Sequence, residues 1–477
     1  MARWIKRLLP AVLVFGLCLG GAVWYWRAGQ RTPDSTDLVL WLLVLPLAIL
    51  AVLWLGRLLF AVLAGAPAAA AAAPDAAPPA EAATAPAAAP LPALALVASA
   101  LRSPHGDAAA ELAAALAGGK AHPALDPELL DDDGYPQMSA RAVLADSAAE
   151  GEALRDQLIT WLALNGHPGA AFSDEQWRTL ALASAVATEL GERSAAHAKL
   201  ADHGKQTPAP ILQLLPLWPH GWQAAQYAQA GAWLAHLVGA AGWPPERIVV
   251  APAEPLLDSG EALLRLAQHG GAARSPLLAI VLAAGSNIGN TTLSQWSGAG
   301  SLFSARHPQG MIPGEGAAGL LLADSAQAAL LGEGPHAQLH AASALRDASA
   351  DGARRADPTM LHNLARQVLA DGGTAPDTVA LLVADTGHRN SRTMELMALA
   401  GAVLPQLDAG EDVLRVGSAC GSCGEVALVT SLAIGAHHSA ELDAPVLCIG
   451  NEDPFRRSAA LILPAPPPVA PLTPVTP

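Results

Sequence analysis

Residues 303–324, FSARHPQGMIPGEGAAGLLLAD, decide how the rest of the chain reads. Gly314, Glu315 and Gly316 form a glycine-flanked acid that opens directly onto an apolar run with the character of a buried strand. Glycines at this density permit backbone conformations and close approaches that a side chain forbids. The loop therefore marks a tight crossing of chain segments or the wall of a site.

Short apolar runs recur on both sides of that loop. Residues 247–250 (RIVV), 277–282 (LLAIVL), 379–384 (VALLVA) and 446–449 (VLCI) read as strands, with helical segments between them. This alternation is the pattern of a layered α/β protein. Pro255 stands where a first helical turn tolerates it, so a helix is expected from there through Gln268. Residues 94–200 are rich in alanine and are expected to be helical. Asp131, Asp132 and Asp133 before Gly134 read as a solvated turn, because three adjacent carboxylates seldom converge on one cation.

With 477 residues and 52% hydrophobic content the chain can bury a large core. A formal charge of −15, with no basic cluster beyond the first residues, excludes a general nucleic-acid binder. Four cysteines are too few for a disulfide framework and fit a reducing compartment.

The N-terminus reads as a two-helix transmembrane hairpin over residues 1–65. Residues 8–26 and 38–55 are uncharged apolar runs of spanning length, and Trp24, Tyr25 and Trp26 suit an interfacial belt. Arg3, Lys6 and Arg7 precede the first run, which favours a cytoplasmic N-terminus and returns the chain to the cytoplasm after the second. A cleaved signal peptide fits less well, since no small-x-small site follows Gly21. Cys18 follows Leu17 and reads as a packing thiol, without the small residue that a lipoprotein signal places there. Residues 66–92 are almost only alanine and proline, a tether that could reach about 80 Å if extended at about 3.1 Å per residue. Residues 465–477 form a Pro-rich tail expected to be disordered.

From Arg247 to Leu463 the order of motifs resembles the beta-ketoacyl synthase branch of the thiolase-like family, in which a glycine-glutamate-glycine-alanine loop precedes a core strand. Gly417, Gly421 and Gly424, in VGSACGSCGEVALVTSLAI, match the glycine spacing of a second family signature that also leads into an apolar helix. The resemblance implies an α/β fold of the thiolase-like five-layer αβαβα type over residues 93–464, with helices between and outside two sheets. It also implies pairing through an edge strand, as a homodimer or as a heterodimer with a related ketosynthase.

The resemblance further implies where catalytic groups belong. The family nucleophile, a cysteine, falls at the strand-to-helix turn 251–255, which holds no cysteine, serine or threonine and has Glu254 as its nearest polar residue. The first family histidine falls at Ala384 or Asp385, with His388 three residues later as a loop histidine facing solvent. The second falls on Ser418, and the family's C-terminal oxyanion loop corresponds to 450–455, with one glycine and two acids. Backbone geometry requires the glycines, whereas condensation requires titratable atoms, so this split implies a retained scaffold with lost condensation activity. Cys420-x-x-Cys423 has the spacing of a redox pair or half a zinc site. Its place inside a glycine-rich turn, with Cys448 on an expected strand, reads as packing. No cofactor and no metal are expected.

Two functions follow. The first is a membrane-tethered, non-catalytic scaffold or inactive partner subunit in a bacterial envelope or lipid-related assembly. It would sit at the inner membrane with its soluble domain in the cytoplasm, near an acyl carrier protein or secretion-machine components. The second is an acyltransferase acting on acyl thioesters through a rebuilt site of His388, Cys420, Cys423 and Asp385.

Overall fold

The computed structural model describes residues 92–131, 134–144, 148–201, 209–252, 257–272, 276–332, 335–352 and 357–466. Along the chain come β1 (Leu94–Arg102), α1 (Ala109–Ala117), the hairpin β2 (Ala124–Leu130) and β3 (Pro136–Ser139), α2 (Ala148–Leu164) and α3 (Asp174–Ala195). Next are β4 (Leu212–Leu217), α4 (Ala224–Ala240), β5 (Ile248–Val250), α5 (Ser259–Ala272), β6 (Leu278–Ser286), α6 (Asn290–Gly298) and β7 (Glu315–Ala323). The remainder holds β8 (Ala337–Leu345), α7 (Thr359–Asp371), β9 (Leu381–Ala384), α8 (Asn390–Val403) and β10 (Val413–Arg415). It closes with α9 (Val416–Cys420), α10 (Val426–Leu442), β11 (Val446–Gly450) and β12 (Arg456–Leu463).

Every residue of β6 and β7 is buried, which is why both read as unbroken apolar runs with no polar face. They sit inside a ten-stranded sheet of order β10-β9-β11-β12-β8-β1-β7-β6-β4-β5. The order repeats one unit twice, β5-β4-β6-β7-β1 and β10-β9-β11-β12-β8. In each unit the last strand in sequence, β7 or β12, runs antiparallel to its neighbours, and of the other four, β4, β5 and β6 or β9, β10 and β11 pair in parallel. The sheet arrangement corrects one expectation: the two half-sheets are not separate, because β1 pairs antiparallel with β8 at Leu94↔Leu339, Ala95↔Gln338 and Leu96↔Ala337.

The expected helix at the start of 94–200 is also corrected. LALVASALR is β1, held between β7 and β8 at the middle of the sheet. Alanine's helical preference is worth only tenths of a kcal/mol per residue, about 0.7 at most against ordinary residues, and ladder bonds with burial on both sides outweigh it.

Three apolar clusters separate the layers. The middle one packs α5 and α10 (Leu263, Leu266, Leu432, Ile434) against one face of both half-sheets (Val281, Leu320, Leu339, Ile462). Leu180, Val186 and Leu190 of α3 and Trp233 of α4 cover the outer face of the first half-sheet. Leu361 and Val368 of α7 with Leu396 of α8 cover that of the second. A helix that is apolar all round, as α10 is from Val426 to Gly435, has no stable place except between such layers. The start of α3 is set locally by a capping box, in which Ser173 Oγ accepts from Gln176 N and Gln176 Oε1 accepts from Ser173 N.

The expected hairpin over 1–65 lies outside the described residues, as do the tether up to 91 and the tail from 467. Among the described residues no helix is long and apolar enough to cross a membrane. Asp131 caps a turn, its carboxylate accepting from Tyr135 N and Gln137 Nε2, while residues 132–133 are outside the description.

Glu315 ties the first half together. Its carboxylate is completely buried and accepts from Ala142 N at 2.9 Å, Ser286 Oγ at 2.7 Å and Arg178 Nε at 2.7 Å, and it forms an ion pair with Arg178 Nη2. Glu315→Ala strands the Arg178 charge and two further donors, so urea unfolding is expected to show a loss of about 3–5 kcal/mol; a loss below about 1 kcal/mol contradicts this role.

Candidate functional site

The Gly314–Glu315–Gly316 loop crosses the second glycine-rich turn backbone to backbone. Gly314 N donates to Ser422 O at 3.1 Å and Ser422 N donates to Ile312 O at 2.8 Å. A Cβ on Gly314 would collide with the Cys420 carbonyl oxygen. Gly421 lies at φ +69°, the left-handed region, with Gly314 Cα and the Ile312 and Pro313 carbonyls around the place of its missing side chain. These glycines are required by the crossing itself.

That crossing, the N-termini of α5 and α10, the end of β9 and the loop 450–455 surround one cavity of about 200 Å³. Its wall includes Ser259, Asp385, His388, Cys423, Glu425 and Glu452. Of the expected turn 251–255 only Ala251 and Pro252 are described. Glu254 lies outside the described residues, and Ala251 and Pro252 line a different hollow with Leu257 and Arg265. The helix begins at Ser259, with Asp258 Oδ1 capping Glu261 N at 2.8 Å, so Ser259 and Gly260 are the residues at the helix start that reach the cavity. Pro255 lies outside the described residues, and Leu257 and Asp258 ahead of the helix are not helical.

Ser418 is placed differently from Asp385. Its hydroxyl donates to Thr386 O at 3.3 Å, and the adjacent Gly417 takes its place in the cavity wall. His388, expected in solvent, is half-buried in that wall, edge-on to Phe303 with ring centroids 5.3 Å apart. Its Nε2 is buried and has no hydrogen-bond partner among the described residues. Burial holds its imidazole below the ordinary histidine range.

Two carboxyls dominate the electrostatics. Asp385 Oδ1 accepts the backbone N–H groups of Asn451 at 2.8 Å and Glu452 at 3.1 Å. Burial nevertheless pushes its pKa up to about 7, and the neighbouring Glu452 and Glu425 push the same way. Glu425 Oε2 accepts from both Ser259 N at 2.8 Å and Ser259 Oγ at 2.6 Å, and burial raises its pKa as well. Nothing in the sequence singled out Glu425 or Ser259. The one available signal was a hydroxyl and an acid standing just ahead of two apolar helical runs.

Arg389 and Arg456 line the cavity but are drawn elsewhere, Arg389 to Glu452 and Asp351 and Arg456 to Asp258. Cys420, Cys423 and Cys448 are buried and free. Desolvation pushes the Cys420 thiol up to about 12 and raises the other two still further. At neutral pH all three are protonated, hence poor nucleophiles. Among the described residues no group of three or more His, Cys, Asp or Glu is arranged to hold a metal.

No family model and no curated protein matches the chain. Solved structures do. The ketosynthase from module 6 of the bacillaene synthase of Bacillus subtilis 168 aligns at TM-score 0.53 and 13% identity over 78% of this chain and 72% of that one. The oxazolomycin ketosynthase domain of Streptomyces albus JA3453 aligns at 0.52 and 13% over 79% and 75%. The PfaC keto synthase-chain length factor aligns at 0.51 and 12% over 79% of this chain and 43% of its own length. At such identities the likeness is one of fold, and the body built on β1–β12 has the ketosynthase fold.

Peptide-resolved alkylation at about pH 8 should leave Cys420, Cys423 and Cys448 unmodified in the native protein and label all three in denaturant. Rapid native labelling of Cys423 contradicts the burial argument.

Proposed function

We propose that the chain is a ketosynthase-like scaffold or inactive partner subunit that does not itself condense thioesters. The observation that carries this reading is the Asp385 carboxyl on the backbone N–H groups of Asn451 and Glu452. By the family resemblance the backbone of this loop would line an oxyanion site; here the protein's own carboxyl uses two of its donors. The protonated thiols add to the argument, since no ready thiolate faces the cavity.

Membrane tethering through 8–26 and 38–55, with the body in the bacterial cytoplasm beside an acyl carrier protein or secretion component, belongs to the same proposal. So does pairing with itself or with a related ketosynthase. Edge strand β5 supports such pairing: it is three residues long, has no strand partner on its outer side among the described residues, and exposes Val249. One observation favours the rival acyltransferase, namely the Ser259 hydroxyl at a helix start in the cavity wall, held by Glu425.

Intact-mass measurement of the full chain in detergent after incubation with acyl-pantetheine thioesters should show no adduct. The triple variant H388A/C420A/C423A should support the host's phenotype at wild-type protein level. An acyl adduct on Ser259 or Cys423 would overturn the scaffold reading in favour of its rival. In sedimentation, wild-type chain should be dimeric or bound to a ketosynthase, and Val249→Pro should abolish that pairing; an assembly unaffected by the substitution means that β5 is not the pairing edge.

A further inference from the structure

The cavity wall carries more acid than base. Asp385, Glu425, Glu452 and Asp453 stand in it against Arg389 and Arg456. Both arginines are already matched, Arg389 by Glu452 and Asp351, and Arg456 by Asp258 and Glu261. His388 adds no charge at neutral pH, because burial holds its imidazole below the ordinary histidine range. Among the described residues, therefore, Asp385 and Glu425 hold hydrogen bonds but no ion pair.

Each of these two carboxyls uses only one of its oxygens. Asp385, 8% exposed, takes the backbone N–H groups of Asn451 and Glu452 on Oδ1. Glu425 takes the Ser259 amide and hydroxyl on Oε2. Oδ2 of Asp385 and Oε1 of Glu425 have no hydrogen-bond partner among the described residues. A carboxylate oxygen withdrawn from water and given no donor is costly, so a donor that enters the cavity is favoured there. The amides on Oδ1 favour the ionised form of Asp385, and the donor that suits an ionised carboxylate best is itself a cation.

We propose that the cavity binds a small organic ammonium ion, its charge at the free carboxylate oxygens of Asp385 and Glu425 and its carbon body against Met311, Ile312 and Leu428. An ammonium group has three N–H donors and no acceptor, which matches a wall whose open positions are acceptors. The three apolar side chains line the same cavity and suit a short alkyl chain. At about 30 Å³ per non-hydrogen atom, the share of one water in the liquid, about 200 Å³ holds about seven such atoms. An inorganic cation fits less well. Among the described residues no three or more His, Cys, Asp or Glu are arranged to hold one, and the apolar wall would give it no contact.

This inference goes beyond the scaffold reading and does not depend on it. Binding is reversible and forms no covalent bond, so it is read by affinity, whereas the scaffold reading is tested by an acyl adduct. Either can fail alone.

The test titrates n-butylammonium chloride into the full chain in detergent at about pH 8, followed by ligand-detected NMR, with butyrate and n-butanol as an anion and a neutral molecule of similar size. Asp385 is mostly ionised at that pH, since its pKa lies at about 7. Butylammonium should saturate with a Kd of about 1 mM or tighter, and butyrate and butanol should bind at least about tenfold more weakly. Asp385→Asn and Glu425→Gln should each weaken butylammonium about tenfold. Glu128→Gln, which removes the same charge from the exposed β2–β3 hairpin, should change its affinity less than about twofold. Butyrate or butanol binding as tightly as butylammonium, or wild-type affinity in both Asp385→Asn and Glu425→Gln, overturns the proposal. Absence of saturation by about 20 mM, or displacement by an equal concentration of potassium chloride, overturns it as well. Should one of the two variants fail to fold, the other and the wild-type preference for butylammonium over butyrate decide.

Discussion

The backbone crossing of Pro313 and Gly314 over Cys420, Gly421 and Ser422 is the constraint on which the site depends. Two segments from different halves of a duplicated sheet approach so closely that a single Cβ at Gly314 would meet a carbonyl oxygen. Their mutual hydrogen bonds, and Asn287 Nδ2 on Ser422 O at 2.7 Å, leave the turn no alternative course. Once it is fixed, the next residue of one strand, Glu315, anchors to Arg178 and Ser286, and the next residues of the other, Cys423 to Glu425, form the cavity wall. The crossing therefore couples fold and site through backbone contacts, to which the Asn287 side chain adds one bond.

Around that crossing the molecule places acids where N–H donors collect. The start of α5 points the Ser259 amide at Glu425, and the loop after β11 points two amides at Asp385. Helix N-termini and turns with adjacent free N–H groups favour negative charge, and here side chains of the same protein supply it. Burial, and after it nearby carboxylates, Glu452 and Glu425 for Asp385 and Asp258 and Asp453 for Glu425, oppose that ionisation, which is why both carboxyls sit above their ordinary range.

The strands were legible because their residues carry the physical signal directly. Runs such as LLAIVL are apolar at every position, and only a strand buried on both faces tolerates that in so short a length. The strand β1 was not, since alanine-rich LALVASALR suits a helix by local preference and becomes a strand only between two partners. At the site, Cys423 could be placed from the glycine pattern and Asp385, as one of two positions, from the strand before it, but Ser259 and Glu425 could not. Their meeting joins two helix starts remote in sequence, and no local pattern encodes it.

The sequence by itself determined the alternation of strands and helices, the glycines of the crossing and the net negative charge, because each follows from side-chain size, polarity or charge at successive positions. Only the tertiary structure decided that the half-sheets join through β1 and β8, that Ser259 reaches the cavity, and that His388 faces inward. Those outcomes depend on which distant segments share a boundary, and burial, hydrogen bonding and desolvation act on that shared boundary rather than on chain order.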